Sequence, residues 1–156
     1  MADAPVPEGT MTGFEPWNAQ VTRDDVYFGD RRESVRAIRH VPDNKRYEDL
    51  NCGLMYFHGG GGVAGSPEAE ANTVDRFAVE TGCTIFNVKY RLAPENPAPA
   101  GMEDGYTAFV NLSENAYSFG VDVDKLAYYG ASGGGWIASG VGMLLAEQGM
   151  SYLAKF

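Results

Sequence analysis

The sequence lacks several features that would assign it to other classes of protein. Its 156 residues carry a formal net charge of −9, and no cluster of lysine or arginine forms a basic stripe. This charge balance argues against a nucleic acid or an anionic membrane as partner. No apolar run approaches the roughly 20 residues that span a bilayer, and the acidic N-terminus does not look like a secretory signal. We therefore expect a cytoplasmic protein without a membrane span.

Cysteine and histidine are scarce. The two cysteines, Cys52 and Cys83, form no CxxC pair, which predicts two buried free thiols and no metal site. The two histidines are His40 and His58. His40 ends a predicted strand, and we interpret it as a surface or strand-end residue.

Glycine, in contrast, is abundant. The chain has 20 glycines, concentrated in "HGGGGVAG" and "GASGGGWIASGVG", whereas average usage is about 7%. Such clusters are typical of tight turns where the backbone approaches a ligand.

The order of the predicted elements indicates an α/β fold. We expect residues 1–21 to form a loose arm and residues 22–156 to form one domain. Alternating apolar residues in 24–29 and 33–41 predict two leading, half-buried strands. Three further strands then alternate with three helices: strands 52–58, 83–90 and 125–130, and helices 66–82, 101–120 and 133–149. Because these later strands are apolar on both faces, they predict a mostly parallel sheet covered by helices on both faces.

Local signals predict where the helices end and which faces are buried. Ser66 can cap the first helix, Pro67 suits its first turn, and Gly82 can end it. Helical spacing also predicts that Tyr117 in the second helix and Trp136 in the third face inward.

The segment "YYGASGGG" at residues 128–135 places a serine at a predicted strand-to-helix junction. Gly130, Ser132 and Gly134 fit the G-x-S-x-G pattern of a nucleophile elbow, in which the serine occupies a strained turn. The N-terminus of the following helix would favour developing negative charge there. A simple glycine turn is the alternative.

The other glycine cluster, residues 58–62, also follows a predicted strand. Consecutive glycines let backbone N–H groups project into a cavity, where they can stabilise a tetrahedral oxyanion. Gly60, Gly62 and Gly65 also match the dinucleotide fingerprint G-x-G-x-x-G. That interpretation requires an acid at the end of the next strand, where Lys89 stands instead. A P-loop is excluded because no Lys-Ser or Lys-Thr follows the glycines.

These two clusters, with "YRLAPENPAPAGMEDGY" between them, resemble the hormone-sensitive-lipase-like carboxylesterases of the α/β-hydrolase fold. In that family a His-Gly-Gly-Gly loop, a Tyr-Arg-Leu-Ala-Pro-Glu segment and a Gly-Asp-Ser-Ala-Gly-Gly elbow occur in this order. The resemblance covers roughly residues 22–150. It implies a serine hydrolase that acts on small-molecule carboxylic esters and needs no cofactor.

The resemblance also implies roles for individual residues. Ser132 would be the nucleophile, and the N–H groups of three glycines would form the oxyanion hole: Gly60, Gly61 and Gly133. Three residues would be structural at the site: His58, Gly130 and Gly134. The "RLAPE" segment would be a structural loop beneath the site, without a chemical role for Arg91 or Glu95.

The chain departs from the family pattern at four positions. Ala131 stands where the family usually has Asp, Gly133 where it has Ala, and Trp136 where Asn is common. Gly62 replaces the usual aromatic residue and is expected to loosen the oxyanion loop. None of these changes removes the nucleophile or an oxyanion donor.

The catalytic partners of the serine are missing from the sequence. In this fold the triad acid and histidine follow the serine along the chain, but the 24 residues after Ser132 contain Glu147 and no histidine. We therefore expect the N-terminal half of a hydrolase, without its C-terminal strands and with little activity alone. Strand 125–130 would be an exposed edge, open to self-association or to a complementing chain. A non-catalytic homologue that binds a small ligand, and one half of a split hydrolase, are alternatives.

Overall fold

A computed structural model describes residues 17–30, 34–43 and 50–150. Most of the predicted arm, residues 1–16, lies outside the described residues. The sheet has five strands: β1 (Val21–Phe28), β2 (Val35–Pro42), β3 (Asn51–Phe57), β4 (Thr84–Val88) and β5 (Val121–Gly130). The helices are α1 (Pro67–Thr81), α2 (Ala100–Glu114) and α3 (Gly133–Glu147). Each strand and helix lies near its predicted position, although β1 and β5 begin three and four residues early and α2 ends before a separate 3-10 turn, Ala116–Phe119.

The strands lie in the order β1-β2-β4-β3-β5. β1 and β2 are antiparallel to their neighbours, whereas β3 runs parallel to both β4 and β5. This arrangement confirms the prediction of two leading strands followed by parallel ones. Within the described residues β5 pairs only with β3, so β5 forms an edge of this sheet.

Two apolar clusters cover the two faces of the sheet. Phe57 and Phe86 on one face pack against residues of α2 and α3, including Phe109 and Val141. The other face is covered by α1 and includes Ile85. The prediction of helices on both faces is confirmed, because successive strand residues point to opposite sides and both sides are apolar.

The ends of α1 follow from its sequence. The Ser66 hydroxyl accepts a hydrogen bond from the Ala69 N–H at 3.2 Å, and Pro67 occupies the first turn. At the other end Gly82 adopts the left-handed conformation, with φ of 70°, and its N–H donates to the Ala78 carbonyl. These contacts confirm the predicted cap and stop.

Two inward-facing predictions are wrong. Trp136 is 60% exposed, because the buried residues of α3 follow the spacing of Ile137 and Val141, one position further round the helix. Tyr117 is 82% exposed and lies in the 3-10 turn beyond α2. The helical periodicity of α2 therefore ends before Tyr117.

The prediction of free, buried thiols is also wrong. Cys52 and Cys83 form a disulfide, with their Cα atoms 4.7 Å apart, and both residues are partly exposed. Parallel pairing of β3 with β4 sets Gly53 opposite Thr84, which brings the preceding cysteines together. This proximity arises from strand register and is not visible in the spacing of 31 residues.

His40 is not a surface residue. Its side chain is completely buried between β2 and α1, and its Nδ1 lies 2.8 Å from an oxygen of Asp75 on α1. Arg23 on β1 forms an ion pair with the same carboxylate. Burial lowers the pKa of His40, against the opposing effect of Asp75. The strand carries His40 under α1, so the prediction of a surface or strand-end residue is wrong.

Candidate active site

Ser132 occupies a strained turn between β5 and α3. Its φ is 49° and its ψ is −117°, and among the described residues it is the one non-glycine residue with positive φ. Such a conformation costs about 1–3 kcal/mol and persists only where the surroundings enforce it. The side chain is exposed and does not cap α3. The hydroxyl is therefore presented at the head of the helix.

Close backbone packing enforces this turn. A Cβ at Gly130 would lie 2.0 Å from the carbonyl oxygen of Gly134, and a Cβ at Gly134 would lie 2.0 Å from that of Phe57. Both distances are far inside van der Waals contact, so neither position accepts a side chain. The Ala131 N–H also donates to the Phe57 carbonyl at 3.0 Å, which ties the turn to the end of β3.

The glycine loop after β3 is a tight reversal of the backbone. Gly60, Gly61 and Gly62 have φ values of 118°, 66° and 75°, a region that side chains disfavour. The Gly60 carbonyl accepts hydrogen bonds from the N–H groups of Val63 and Ala64. The loop therefore has a defined shape, in which glycine is required.

The loop and the turn are packed against each other. A Cβ at Gly133 would lie 2.4 Å from the Gly61 nitrogen, and a Cβ at Gly59 would lie 3.7 Å from Cβ of Ser132. The backbone hydrogen bonds found within the described residues include none donated by Gly60, Gly61 or Gly133. The structure thus brings the predicted nucleophile and the predicted donors into one place.

His58 belongs to the packing of the glycine loop. It is buried, its Nδ1 lies 2.8 Å from the Gly59 carbonyl oxygen, and its ring stacks on Tyr90 with 4.3 Å between centroids. The Tyr90 hydroxyl donates to the His58 carbonyl at 2.7 Å. Burial, with a smaller contribution from the negative charge of Glu70, raises the pKa of Tyr90 to about 12. Tyr90 therefore remains a donor to this carbonyl at physiological pH.

Two contacts near the site were not anticipated from the sequence. Glu70 of α1 accepts hydrogen bonds from the Gly59 N–H at 2.9 Å and the Tyr56 hydroxyl at 2.6 Å. Arg91 donates through its backbone N–H and its Nε to Asp104 of α2. The second contact fixes the "RLAPE" loop against α2.

A cavity of about 860 Å³ lies behind the glycine loop. Its walls include His58, Gly65, Tyr90, Leu92 and Asn96, but not the serine or the three candidate donors.

In the described ranges, no helix is long and apolar enough to cross a bilayer. Nor do three or more His, Cys, Asp or Glu side chains group there as a metal site would require.

Comparison with known proteins identifies the class. Residues 54–155 match the family described as having the alpha/beta hydrolase fold, and the chain belongs to that family. Its relatives include carboxylesterases, in agreement with the resemblance noted in the sequence.

Individual relatives show how far the similarity extends. Probable carboxylesterase 6 of Arabidopsis thaliana is 37% identical, and the alignment covers 85% of this chain but 41% of that protein. Esterase LipI of Mycobacterium tuberculosis is 36% identical over 62% of this chain and 30% of its own length. The structure of an esterase from Pyrobaculum calidifontis superposes with a TM-score of 0.78 at 34% identity, covering 86% of this chain and 43% of that one. The chain thus spans less than half the length of these relatives.

Proposed function

We propose that this chain carries the nucleophile and the oxyanion-stabilising part of a serine hydrolase that acts on small carboxylic esters. Ser132 attacks the ester carbonyl, and the N–H groups of Gly60, Gly61 and Gly133 stabilise the tetrahedral oxyanion. The esterase names of the relatives support this substrate class. No cofactor takes part in the proposed reaction.

One observation carries the proposal. Ser132 holds a backbone conformation that a non-glycine residue rarely adopts, at the head of a helix and against a glycine loop. A simple glycine turn would not require a serine there, whereas a nucleophile elbow requires the strain in order to expose the hydroxyl.

Residues other than the donors give the site its shape in this proposal. Gly130 and Gly134 permit the close packing of the turn, and His58 orders the glycine loop through Tyr90. His58 is therefore a structural residue and does not act as the catalytic base.

The base that would accept the serine proton is not assigned within this sequence. Both histidines have other partners: His40 bonds to Asp75, and His58 to the Gly59 carbonyl. Loss of a triad member lowers the rate by up to about 10⁶. We therefore expect this chain alone to be a slow esterase, with the acid and histidine supplied by polypeptide outside this sequence.

The β5 edge is the proposed place for added polypeptide or for a second copy of this chain. Val123 and Tyr129 on this strand are 43% and 49% exposed, and an open apolar edge promotes pairing. Light scattering at rising concentration should show association, which Val123→Lys should weaken. A monodisperse monomer throughout would contradict self-association through this edge.

A second candidate function is ligand binding without cleavage. The engagement of both histidines with other groups favours it. In that case the serine would lack any rate advantage in attacking an ester.

A cysteine variant tests the site without needing a base, because a thiol is far more reactive than a hydroxyl at neutral pH. In Ser132→Cys the thiolate would attack p-nitrophenyl acetate, release p-nitrophenolate and retain the acetyl group as a thioester. Ser139→Cys is the matched control, since Ser139 is exposed on α3, the helix that begins directly after Ser132. Absorbance measures the nitrophenolate, and mass spectrometry locates the acetyl group.

We expect acylation at position 132 to exceed that at position 139 by about 10²–10³, the usual worth of an oxyanion donor. Equal rates would contradict the oxyanion hole and favour the ligand-binding alternative.

A further inference from the structure

The glycine loop, together with the end of β3 before it, is held by hydrogen bonds from other segments. The Phe57 carbonyl accepts from Ala131, the His58 carbonyl from Tyr90, and the Gly62 carbonyl from Ala93. These three contacts all engage carbonyl oxygens. Such anchoring matters because a run of glycines loses more conformational entropy on ordering than other residues do.

Glu70 supplies the contact of opposite kind, because it accepts from an N–H of the loop. One carboxylate oxygen lies 2.9 Å from the Gly59 nitrogen and the other 2.6 Å from the Tyr56 hydroxyl oxygen. Hydrogen bonds to a charged acceptor are stronger than neutral ones. Glu70 thereby fixes the peptide unit immediately before the two candidate donors, Gly60 and Gly61.

Glu70 acts as a clamp through the two hydrogen bonds it accepts, from Gly59 and Tyr56, and the state of Tyr56 keeps its bond intact at alkaline pH. Burial, followed by the hydrogen bond to Glu70, raises the pKa of Tyr56 well above its ordinary value. The phenol therefore remains protonated and continues to donate to the carboxylate. Because Tyr56 lies on β3 and Glu70 on α1, the clamp ties the loop to two rigid elements.

Gly59 lies between this carboxylate and the nucleophile. A Cβ at Gly59 would be 3.2 Å from the bound Glu70 oxygen and 3.7 Å from Cβ of Ser132. The space between Glu70 and Ser132 is thus about the width of one small side chain. A shift of Gly59 would be passed directly to the adjoining donors.

We propose that Glu70 is a positioning residue, which orients the Gly59 peptide so that the N–H groups of Gly60 and Gly61 meet the oxyanion formed at Ser132. The proposal rests on the proposed function, since it assigns Glu70 a part in the same site. Its effect comes from hydrogen-bond geometry, so an amide of the same shape should replace the carboxylate.

Three variants test this role. Glu70→Ala removes the clamp, and Glu70→Gln retains an acceptor for the Gly59 N–H. Glu68→Ala is the matched control, because Glu68 lies in the same turn of α1 and pairs with Arg36, not with the loop. The control therefore reports any general effect of an acid near the helix N-terminus.

Two measurements are made on each variant. Amide hydrogen exchange by NMR reports the loop directly, and we expect Glu70→Ala to accelerate exchange at Gly59 by about 10–100-fold. Acylation by p-nitrophenyl acetate, measured with each change placed in Ser132→Cys, should fall by about 10²-fold, as for a misplacement of roughly 1 Å. Glu70→Gln and Glu68→Ala should stay within about threefold of the parent in both measurements.

Equal behaviour of Glu70→Ala and Glu68→Ala would overturn the proposal. It would also be overturned if Glu70→Gln slowed acylation as much as Glu70→Ala while exchange at Gly59 stayed normal, because charge and not position would then matter. Failure of the proposed function looks different. Ser132→Cys would then show no advantage over Ser139→Cys, whereas exchange at Gly59 would still report the hold of Glu70 on the loop.

Discussion

Replacement of Gly133 by alanine separates what family resemblance predicts from what this structure predicts. The family resemblance noted in the sequence implies alanine at this place, so resemblance alone would make Gly133→Ala harmless. Here a Cβ would lie 2.4 Å from the nitrogen, 2.6 Å from the Cα and 3.0 Å from the carbonyl carbon of Gly61. Ordinary contacts begin at about 3.4 Å, so the loop must move by about 1 Å.

Two opposing contributions determine how Gly133→Ala changes folding stability. Alanine in place of glycine stabilises a helix by about 0.5–1 kcal/mol. Overpacking against backbone costs about 1–3 kcal/mol, so folding should be weakened slightly. The reaction should suffer more, because a shift of about 1 Å in a catalytic group lowers the rate about 10²-fold.

The assay is acylation by p-nitrophenyl acetate, with Gly133→Ala placed in Ser132→Cys. Gly135→Ala is the control, since a Cβ there would lie 3.3 Å from the Gly130 carbonyl oxygen and would not approach the loop. We expect a fall of about 10²-fold for the first change and less than about threefold for the second. Acylation at the parent rate with Gly133→Ala would refute the view that Gly61 and Gly133 act together on one oxyanion.

Two further predictions concern stability. Reduction of the Cys52–Cys83 disulfide should lower the free energy of unfolding by roughly 3–4 kcal/mol, given a separation of 31 residues. Urea titration with and without reductant measures this difference. The double variant Cys52→Ser/Cys83→Ser is the control, and its stability should not respond to reductant. Burial lowers the pKa of His40 below its unfolded value of about 6.5, so the unfolded chain takes up the proton more readily. The contribution of His40 to the free energy of unfolding should be fully present above about pH 6.5. It should decline as pH falls below that value, by up to about 1.4 kcal/mol per pH unit. The variant His40→Asn should lose most of this dependence between about pH 7.5 and 5.5.

The features that sequence reasoning predicts well are local ones. The cap at Ser66 and the stop at Gly82 depend on a few neighbouring residues. The strand-to-helix junction at Ser132 likewise follows from the order of apolar and glycine residues.

The features that the sequence hides depend on long-range contacts. The disulfide arises from the register of β3 against β4, and the burial of His40 from the placement of α1 over β2. Glu70 gives a clear helical signal, but its contact with Gly59 depends on how α1 returns across the end of β3. In each case the partner lies at least 11 residues away, beyond the reach of periodicity and capping rules.

The glycine loop makes contacts that connect the three sequence motifs: the loop itself, the "YRLAP" segment and the serine turn. Gly62 removes a side chain that could stiffen the loop, yet its carbonyl accepts from the Ala93 N–H at 2.9 Å. The Tyr90 hydroxyl holds the carbonyl of His58. Both donors belong to the "YRLAP" segment, whose own position is fixed by the bonds of Arg91 to Asp104. The middle motif therefore helps to set the shape of the loop against which the serine turn is packed.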